Sequence, residues 1–512
     1  LPSGLRVGRE NEKKLNESKG ERKMAQYDLV IKNGTVVIPK VGVIRGDIGI
    51  VKEKIAVLSK DIELKEAHRV IDASGKYVFP GAIDSHFHIG IFRPMDEDAT
   101  SESRSAVWGG VTTICSYFRT GKNYLNKSGP YHEIFPEVLE KSKNSFYTDF
   151  AYHLTIMTPD QMNEIERLVT EHGVSTFKYF MFYKMLDLTG AAGSDKYLML
   201  NTSYDLGFLY KYMKEVARVN EKYGAYGRIS LSIHCEQPEI INVATQYMRQ
   251  HETGNPLKDY SDARPAFSEK MAIKEAEVLA AQTNCPVNLL HLSSNDAIEA
   301  GKEAVERNPR LNILLEATLH HLGLSNDTKY GRLGKVNPPI REREHVDALW
   351  EAVIHDDIKT VVSDSACASK KIKEGDIWTS LAGFGGAEIM FPLLLTEGHR
   401  KRGLSLERIA ELTSYNSAIY HDLYPKKGTI AIGSDADLAI IDLDKEKEVS
   451  VETLHSAQDF TPFEGFKYKG WPVCTILRGK VIFENDKIVG QPGDGQYVKR
   501  PVKYHYKNEF SL

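Results

Sequence analysis

The sequence predicts an α/β protein, a (β/α)8 TIM barrel with a small β-sandwich domain formed from both chain ends. Three observations lead there. Across residues 79–420, short apolar segments alternate with longer segments of helical periodicity, as parallel strands with helices outside require. Unusual polar residues fall at the ends of those apolar segments, where a barrel collects its chemistry. On either side of this middle, β-branched residues alternate and are broken by tight-turn dipeptides.

A chain of 512 residues exceeds what one core usually sustains, so one large domain plus a smaller one is expected. With 41% hydrophobic and 27% charged residues, the composition is that of a globular protein rather than a fibre or a disordered chain. The 66 basic and 70 acidic residues leave a net charge of -4, which gives no global attraction to nucleic acid. Cys115, Cys235, Cys285, Cys367 and Cys474 are far apart and never form CxxC. That excludes a disulfide framework and a thiolate zinc site, and fits small buried hydrophobes in a reducing, cytoplasmic setting. No apolar run reaches the roughly 18 residues a membrane helix needs, so no membrane partner is expected.

Taken in order, residues 1–23 are polar and lysine-rich, lack an apolar signal core, and read as a leader or processing remnant outside the fold. Residues 24–78 read as the N-terminal part of the β domain. Their stretches YDLVIKNGTVVI, VIRGDIGIVKEKIAVL and HRVIDASGKYVF break at Asn33-Gly34, Gly46-Asp47 and Ser74-Gly75, as short antiparallel strands with tight turns do. Residues 79–420 supply eight barrel strands: GAIDSHFHI, GGVTTICSYF, FYTDFAYHLTI, VSTFKYFMF, RISLSIHCE, CPVNLLHLS, RLNILLEAT and IKTVVSDS. Between them, DQMNEIERLVTEHG and SEKMAIKEAEVLAAQTN read as amphipathic helices, the second opening on a Ser268-Glu269 N-terminal turn. Residues 421–490 return to β grammar in IGSDADLAIIDLD and VCTILRGKVIFENDKIVG, and 491–512 read as a C-terminal tail. Strands from both ends forming one sheet domain is the economical reading, since chain termini often lie close together. Two separate β caps fit almost as well.

The strongest local signal is Asp84-Ser85-His86-Phe87-His88. Residues i and i+2 of a strand share a face, so His86 and His88 project together and can share a divalent ion. Asp84 lies on that face too, placed to orient a ligand or touch the metal. His234 follows the apolar run ISLSI, His291 follows VNLL, and Asp364 follows IKTVV by way of Ser363. Any one of these would pass as a satisfied core residue, but four histidines and an aspartate at four strand ends point to one metal site. Lys178 stands in an otherwise apolar strand, where an ammonium is costly unless paired, neutralised or extended to the rim. A lysine that has reacted with CO2 is the further option, since its carbamate offers two anionic oxygens to bridge two cations. His320-His321, Lys370-Lys371 and Lys426-Lys427 read as loop surface, and Gly383-Phe384-Gly385-Gly386 lacks the pattern of a phosphate loop.

Over roughly residues 26–490 the chain resembles the cyclic amidohydrolases: hydantoinases, dihydropyrimidinases, allantoinases and their non-catalytic relatives. GAIDSHFH matches the family's G-x-x-D-x-H-x-H segment, FKYFMFYK its modified-lysine strand, HCE and HLS its later histidines, and Asp364 its final-strand aspartate. The resemblance implies that His86, His88, Lys178 and Asp364 serve one metal and that Lys178, His234 and His291 serve another. It implies two divalent ions, zinc foremost, a CO2-derived carboxylation of Lys178, and a homodimer or homotetramer. Tyr183 would donate to the substrate oxygen, and a backbone group at Asn337, in the stiff NPPIR loop, would contact the cyclic amide.

Departures fall on the substrate side. Ser365-Ala366-Cys367 stands where His-Cys-Pro usually follows the aspartate, Leu381-Ala382-Gly383 where Pro-Asn-Gly is usual, and HCEQPEI where HAENGD is common. The expected function is therefore hydrolysis of a cyclic amide, imide or ureide by a metal-bridging hydroxide, with ring opening to a carboxylate. Two metals about 3.5–4 Å apart would activate water and polarise the carbonyl, with Asp364 carrying the proton to the leaving nitrogen. The alternatives are an acyclic amide, an ester or another carbonyl derivative, and a non-catalytic assembly protein on the same fold.

Overall fold

The computed structural model describes residues 26–119, 122–125, 127, 129–182 and 204–509. Each of the eight apolar segments becomes a barrel strand: β6 (Ala82–Phe87), β7 (Val111–Phe118), β8 (Asp149–Thr155), β9 (Thr176–Phe180), β10 (Ser230–His234), β11 (Val287–Leu289), β12 (Leu314–Thr318) and β13 (Thr360–Val362). They pair in sequence order, all parallel. The ring closes where Phe87 bridges Ser365 and the His88 N–H donates to the Ser365 carbonyl at 2.9 Å. The strands are buried throughout, which is why they read as apolar runs rather than alternations.

Helices such as Met95–Trp108, Leu206–Tyr223, Asn295–Arg307 and Arg343–Ile354 lie between consecutive strands. SEKMAIKEAEVLAAQT falls within the helix Ala266–Thr283, with the following Asn284 as its C-cap and Pro265 as its N-cap, so Ser268 and Glu269 lie inside its first turn rather than capping it. Glu269 is buried and reaches outward instead, accepting from Ser293, from Ser294 at 2.8 Å and from Arg341 at 3.2 Å. That grip holds the loop after β11, which carries His291.

The remaining strands are β1 (Tyr27–Ile38), β2 (Gly42–Val51), β3 (Lys54–Ser59), β4 (Ala67–Asp72), β5 (Tyr77–Pro80), β14 (Leu438–Glu448), β15 (Lys467–Leu477), β16 (Lys480–Glu484) and β17 (Lys487–Ile488). They form one sheet ordered β17-β16-β15-β14-β5-β1-β2-β3, with β4 also on β1. The two chain ends meet where β5 pairs β14, so a single sheet replaces the alternative of two caps. One expectation is corrected here: β4 and β5 run parallel, not antiparallel, to β1. Both strands lie on the same edge of the twelve-residue β1, so Ser74-Gly75 steps the chain along one neighbour instead of folding a hairpin. The register of β1 against β2 shifts between Ile31 and Gly34, and a Cβ at Gly34 would stand 2.8 Å from the Val78 side chain, so the tight approach of β5 needs glycine.

Lys427 fastens sheet to barrel, which corrects its reading as a solvated loop charge. Its Nζ lies 2.7 Å from Asp149 at the start of β8, 3.0 Å from Asp435 and 2.5 Å from Asp437, with the side chain 1% exposed. Lys426 is likewise buried, against Asp435. Residues 497–500 pack on the same end of the barrel: Tyr497 bridges Phe150, and the buried Arg500 donates to the Tyr152 carbonyl at 2.5 Å. Among the described residues, no helix is long and apolar enough to cross a membrane.

Candidate metal centre

At the opposite, C-terminal end of the strands, the chemistry-bearing side chains converge. His86 lies on β6 and His88 just beyond it, Lys178 in β9, His234 at the end of β10, His291 two residues past β11 and Asp364 two past β13. All six line one cavity of about 120 Å³ together with Asn337. Asp364 Oδ1 stands 3.1 Å from Nε2 of His86 and 3.1 Å from Nε2 of His88. The His86 ring lies 5.4 Å from that of His291, which in turn lies 4.3 Å from that of His234. Lys178 Nζ sits 4.3 Å from the Tyr117 ring and 4.6 Å from the Phe180 ring. Tyr183 lies outside the described residues.

The backbone is unusual at two of these positions. His291 and Asp364 both have left-handed backbone, with φ of 37° and 49°. Such conformations cost non-glycine residues energy and cluster where function requires a particular direction. Here they turn two side chains at the strand ends that line the cavity.

Burial dominates the electrostatics. It holds His86 and His291 well below the usual imidazole range, with Lys178 and neighbouring histidines adding to the effect. Burial also lowers His234, to about 4, although Glu236 pulls the other way. The rings are therefore neutral, the form in which imidazole binds metal. Burial brings Lys178 down to about 7 against the opposing pull of Asp364 and Glu316. Lys178 Nζ, His86 Nε2 and His291 Nδ1 are buried without a hydrogen-bond partner, even though Asp364 Oδ1 lies close to His86 Nε2. Buried polar atoms are seldom left this way. Neutral imidazoles, an unpaired amine and a carboxylate around one cavity are a donor set that fits divalent cations.

Supporting residues set which ring nitrogen is offered. His86 Nδ1 pairs with Glu316 Oε1 at 2.7 Å, and the same oxygen accepts the His291 N–H at 3.3 Å. With Nδ1 donating to the carboxylate, His86 presents the Nε2 lone pair to the cavity. His234 Nε2 pairs with Glu236 at 2.6 Å, so Nδ1 is the nitrogen it could offer a cation, and Glu236 is itself held by Arg264. Burial alone would raise Glu236, but Arg264 and His234 bring it down to about 2.

Sequence reasoning missed Glu316. The usable signal was an acid inside the apolar run ILLEAT, as anomalous there as Lys178 is in its own strand. Asp84, expected to orient a ligand or touch the metal, instead accepts from the Ser363 N–H at 3.1 Å and the Ser363 hydroxyl at 2.5 Å, tying β6 to β13. Burial raises it to about 7. His320 and His321 are buried rather than on a surface loop, because the helix Leu319–Gly323 follows β12 directly and His321 Nε2 reaches the Pro338 carbonyl at 3.0 Å. That contact steadies the Asn337 loop, where Asn337 Oδ1 accepts from the Tyr260 hydroxyl at 2.6 Å. Of the atypical positions, Ala366, Ala382 and Gly383 line the cavity, while Ser365 is buried beside it.

Residues 77–482 match the model of the Amidohydrolase family. A D-hydantoinase of Geobacillus stearothermophilus is 32% identical, over 93% of this chain and 97% of the relative. An allantoinase of Rubrobacter xylanophilus is also 32% identical, over 93% and 98%. Among solved structures, the L-hydantoinase (dihydropyrimidinase) of Arthrobacter aurescens superposes with a TM-score of 0.82 at 29% identity, covering 93% of this chain and 100% of that one.

Proposed function

The chain belongs to the amidohydrolase family, and from that premise we propose that it opens a cyclic amide, imide or ureide by metal-dependent hydrolysis, giving a carboxylate. The observation that carries this reading is the convergence of six side chains from five barrel strands on one cavity, three of them with buried, unsatisfied nitrogens. His86, His88, Lys178 and Asp364 would hold one divalent cation, and Lys178, His234 and His291 a second. An imidazole-rich donor set favours zinc. When bound, the two cations would supply an activated water and polarise the substrate carbonyl.

Lys178 serves both cations as a carbamate in this reading. Its neutral amine attacks CO2, an N–C bond forms as one C=O π bond opens, and a proton is released to water, so that the neutral nitrogen becomes a carbamate whose single negative charge is shared by two oxygens. A buried Nζ without a partner, brought down to about 7, supports that chemistry. Asp364 takes a proton from the attacking water and delivers it to the departing ring nitrogen. Its position beside both His86 and His88 supports that role. Tyr183 donates to the carbonyl oxygen as negative charge develops there. A backbone group at Asn337 orients the amide from the cavity wall. The D-hydantoinase and allantoinase relatives support a cyclic ureide as substrate, while the small Ala366 and Ala382 in the wall leave room for a larger ring or an acyclic amide.

The family resemblance also supports a homodimer or homotetramer, to be read by light scattering, and five buried, unpaired cysteines support a cytoplasmic setting. The test of the activity is hydrolysis by zinc-loaded protein of hydantoin, dihydrouracil, an acyclic N-acyl amine and an ester, with products read by mass. Ring-opened carboxylates are expected. Turnover of the acyclic compounds alone would transfer the reading to another carbonyl hydrolase.

A further inference from the structure

We propose that Lys335 and Lys373 are positioning residues that lock the two segments forming the substrate wall into one piece. The inference rests on the cyclic-amide reading above, because it gives those segments the task of orienting the ring. Val336 and Asn337 line the cavity ahead of the helix Arg343–Ile354, and Ala382 and Gly383 line it well past β13. The Lys335 carbonyl accepts from Lys373 Nζ at 2.8 Å and from the Gly383 N–H at 3.0 Å. In return, Lys335 Nζ donates to the Ser380 carbonyl at 2.6 Å and the Trp378 carbonyl at 3.3 Å. Arg332 Nε closes the exchange on the Lys373 carbonyl at 2.7 Å. Lys335 Nζ also lies 4.7 Å from the centre of the Tyr260 ring, whose hydroxyl holds Asn337.

Stability alone does not account for these two amines. Lys373 is 0% and Lys335 5% exposed, and among the described residues both donate to carbonyl oxygens, with no carboxylate in an ion pair with either. Burying an amino group in this way is costly, and an apolar side chain of the same length would avoid that cost. Burial brings Lys335 down to about 7, with Arg264 adding to the effect, and Lys373 well below the usual amine range, so carbonyl acceptors serve both. What the lock supplies is aim. Ala382 and Gly383 have no polar side chain, so the hydrogen-bonding groups their segment can offer a ring are peptide groups. Asn337 Oδ1 is already engaged by Tyr260, which leaves the backbone to act there as well. A peptide group cannot turn independently of its segment, and a displacement of about 1 Å in a positioning group is enough to slow catalysis severely.

The test uses the zinc-loaded full chain as wild type, Lys335→Met and Lys373→Met, with whichever of hydantoin, dihydrouracil, the N-acyl amine and the ester wild type hydrolyses. Amide hydrogen exchange is followed in residues 331–340 and 376–384, with zinc affinity and thermal unfolding as controls. Each variant should exchange faster in both segments together. KM should rise about 3- to 10-fold, the loss of one or two hydrogen bonds, while kcat and zinc affinity stay within about 2-fold of wild type. A lower thermal midpoint with unchanged exchange and KM would mean packing alone and overturns the lock. Faster exchange confined to the substituted segment, or faster exchange with an unchanged KM, overturns it too. If wild type opens only the acyclic compounds, or none, the cyclic-amide reading falls. Exchange then decides the lock, together with KM on any compound turned over.

Discussion

Glu316→Ala should weaken metal binding although Glu316 is not among the proposed ligands. One carboxylate oxygen serves two of those ligands, at 2.7 Å from His86 Nδ1 and 3.3 Å from the His291 N–H. The first contact is short and the second long, so most of the loss should come through His86, whose ring would be free to turn its lone pair away. Removing an outer partner of a metal-bound histidine typically costs about 10- to 100-fold in metal affinity, or about 1.4–2.7 kcal/mol. Glu316→Gln keeps an oxygen acceptor of the same reach and should lose less than the alanine variant. Zinc affinity is measured by chelator competition, with thermal unfolding of the metal-free proteins as a control for packing. Wild-type zinc affinity in a folded Glu316→Ala protein would refute the argument that this carboxylate sets the tautomer and direction of His86.

Asp364→Asn preserves the shape of the side chain but not its proton affinity, so zinc should be largely retained while kcat falls by about 10²–10⁴-fold. Near-wild-type turnover would remove the proton-transfer role. Lys178→Ala should fail to hold two zinc ions, and wild type supplied with 13C-labelled CO2 should show a carbamate carbon signal that the variant lacks; a signal of equal size in both would contradict the assignment. Lys427→Met removes the buried cation that Asp149, Asp435 and Asp437 share, leaving Arg478 on Asp149 and Lys54 and Lys426 on Asp435, and breaking such a cluster costs about 3–5 kcal/mol. Urea unfolding should show it as a lower midpoint with unchanged slope, and a loss under about 1 kcal/mol would mean that the network does not join sheet to barrel.

What could be read from the sequence follows from how far apart the deciding partners lie. Barrel strands are buried on both faces, so each was visible as a continuous apolar run without knowledge of its neighbours. His86 and His88 were legible because the period of a strand is local, and His234, His291 and Asp364 because each interrupts the end of such a run. Lys427 was misread for the opposite reason. Its partner Asp149 is remote in the chain, and nothing near Lys427 marks it as buried. The direction of β4 and β5 was missed because a turn dipeptide reports that the chain bends, not which strand it then joins. Glu316 went unnoticed because a lone acid within an apolar strand names no partner until the His86 ring is seen against it. The left-handed backbone of His291 and Asp364 leaves no trace in residue type at all.

The central claim is that six residues from five barrel strands, which line one cavity, assemble around two cations. Anomalous diffraction at the zinc edge from zinc-loaded crystals tests it directly. The account predicts two peaks about 3.5–4 Å apart in this cavity, with density bridging them from Lys178. A single peak, or peaks away from His86, His88, Lys178, His234, His291 and Asp364, would contradict it.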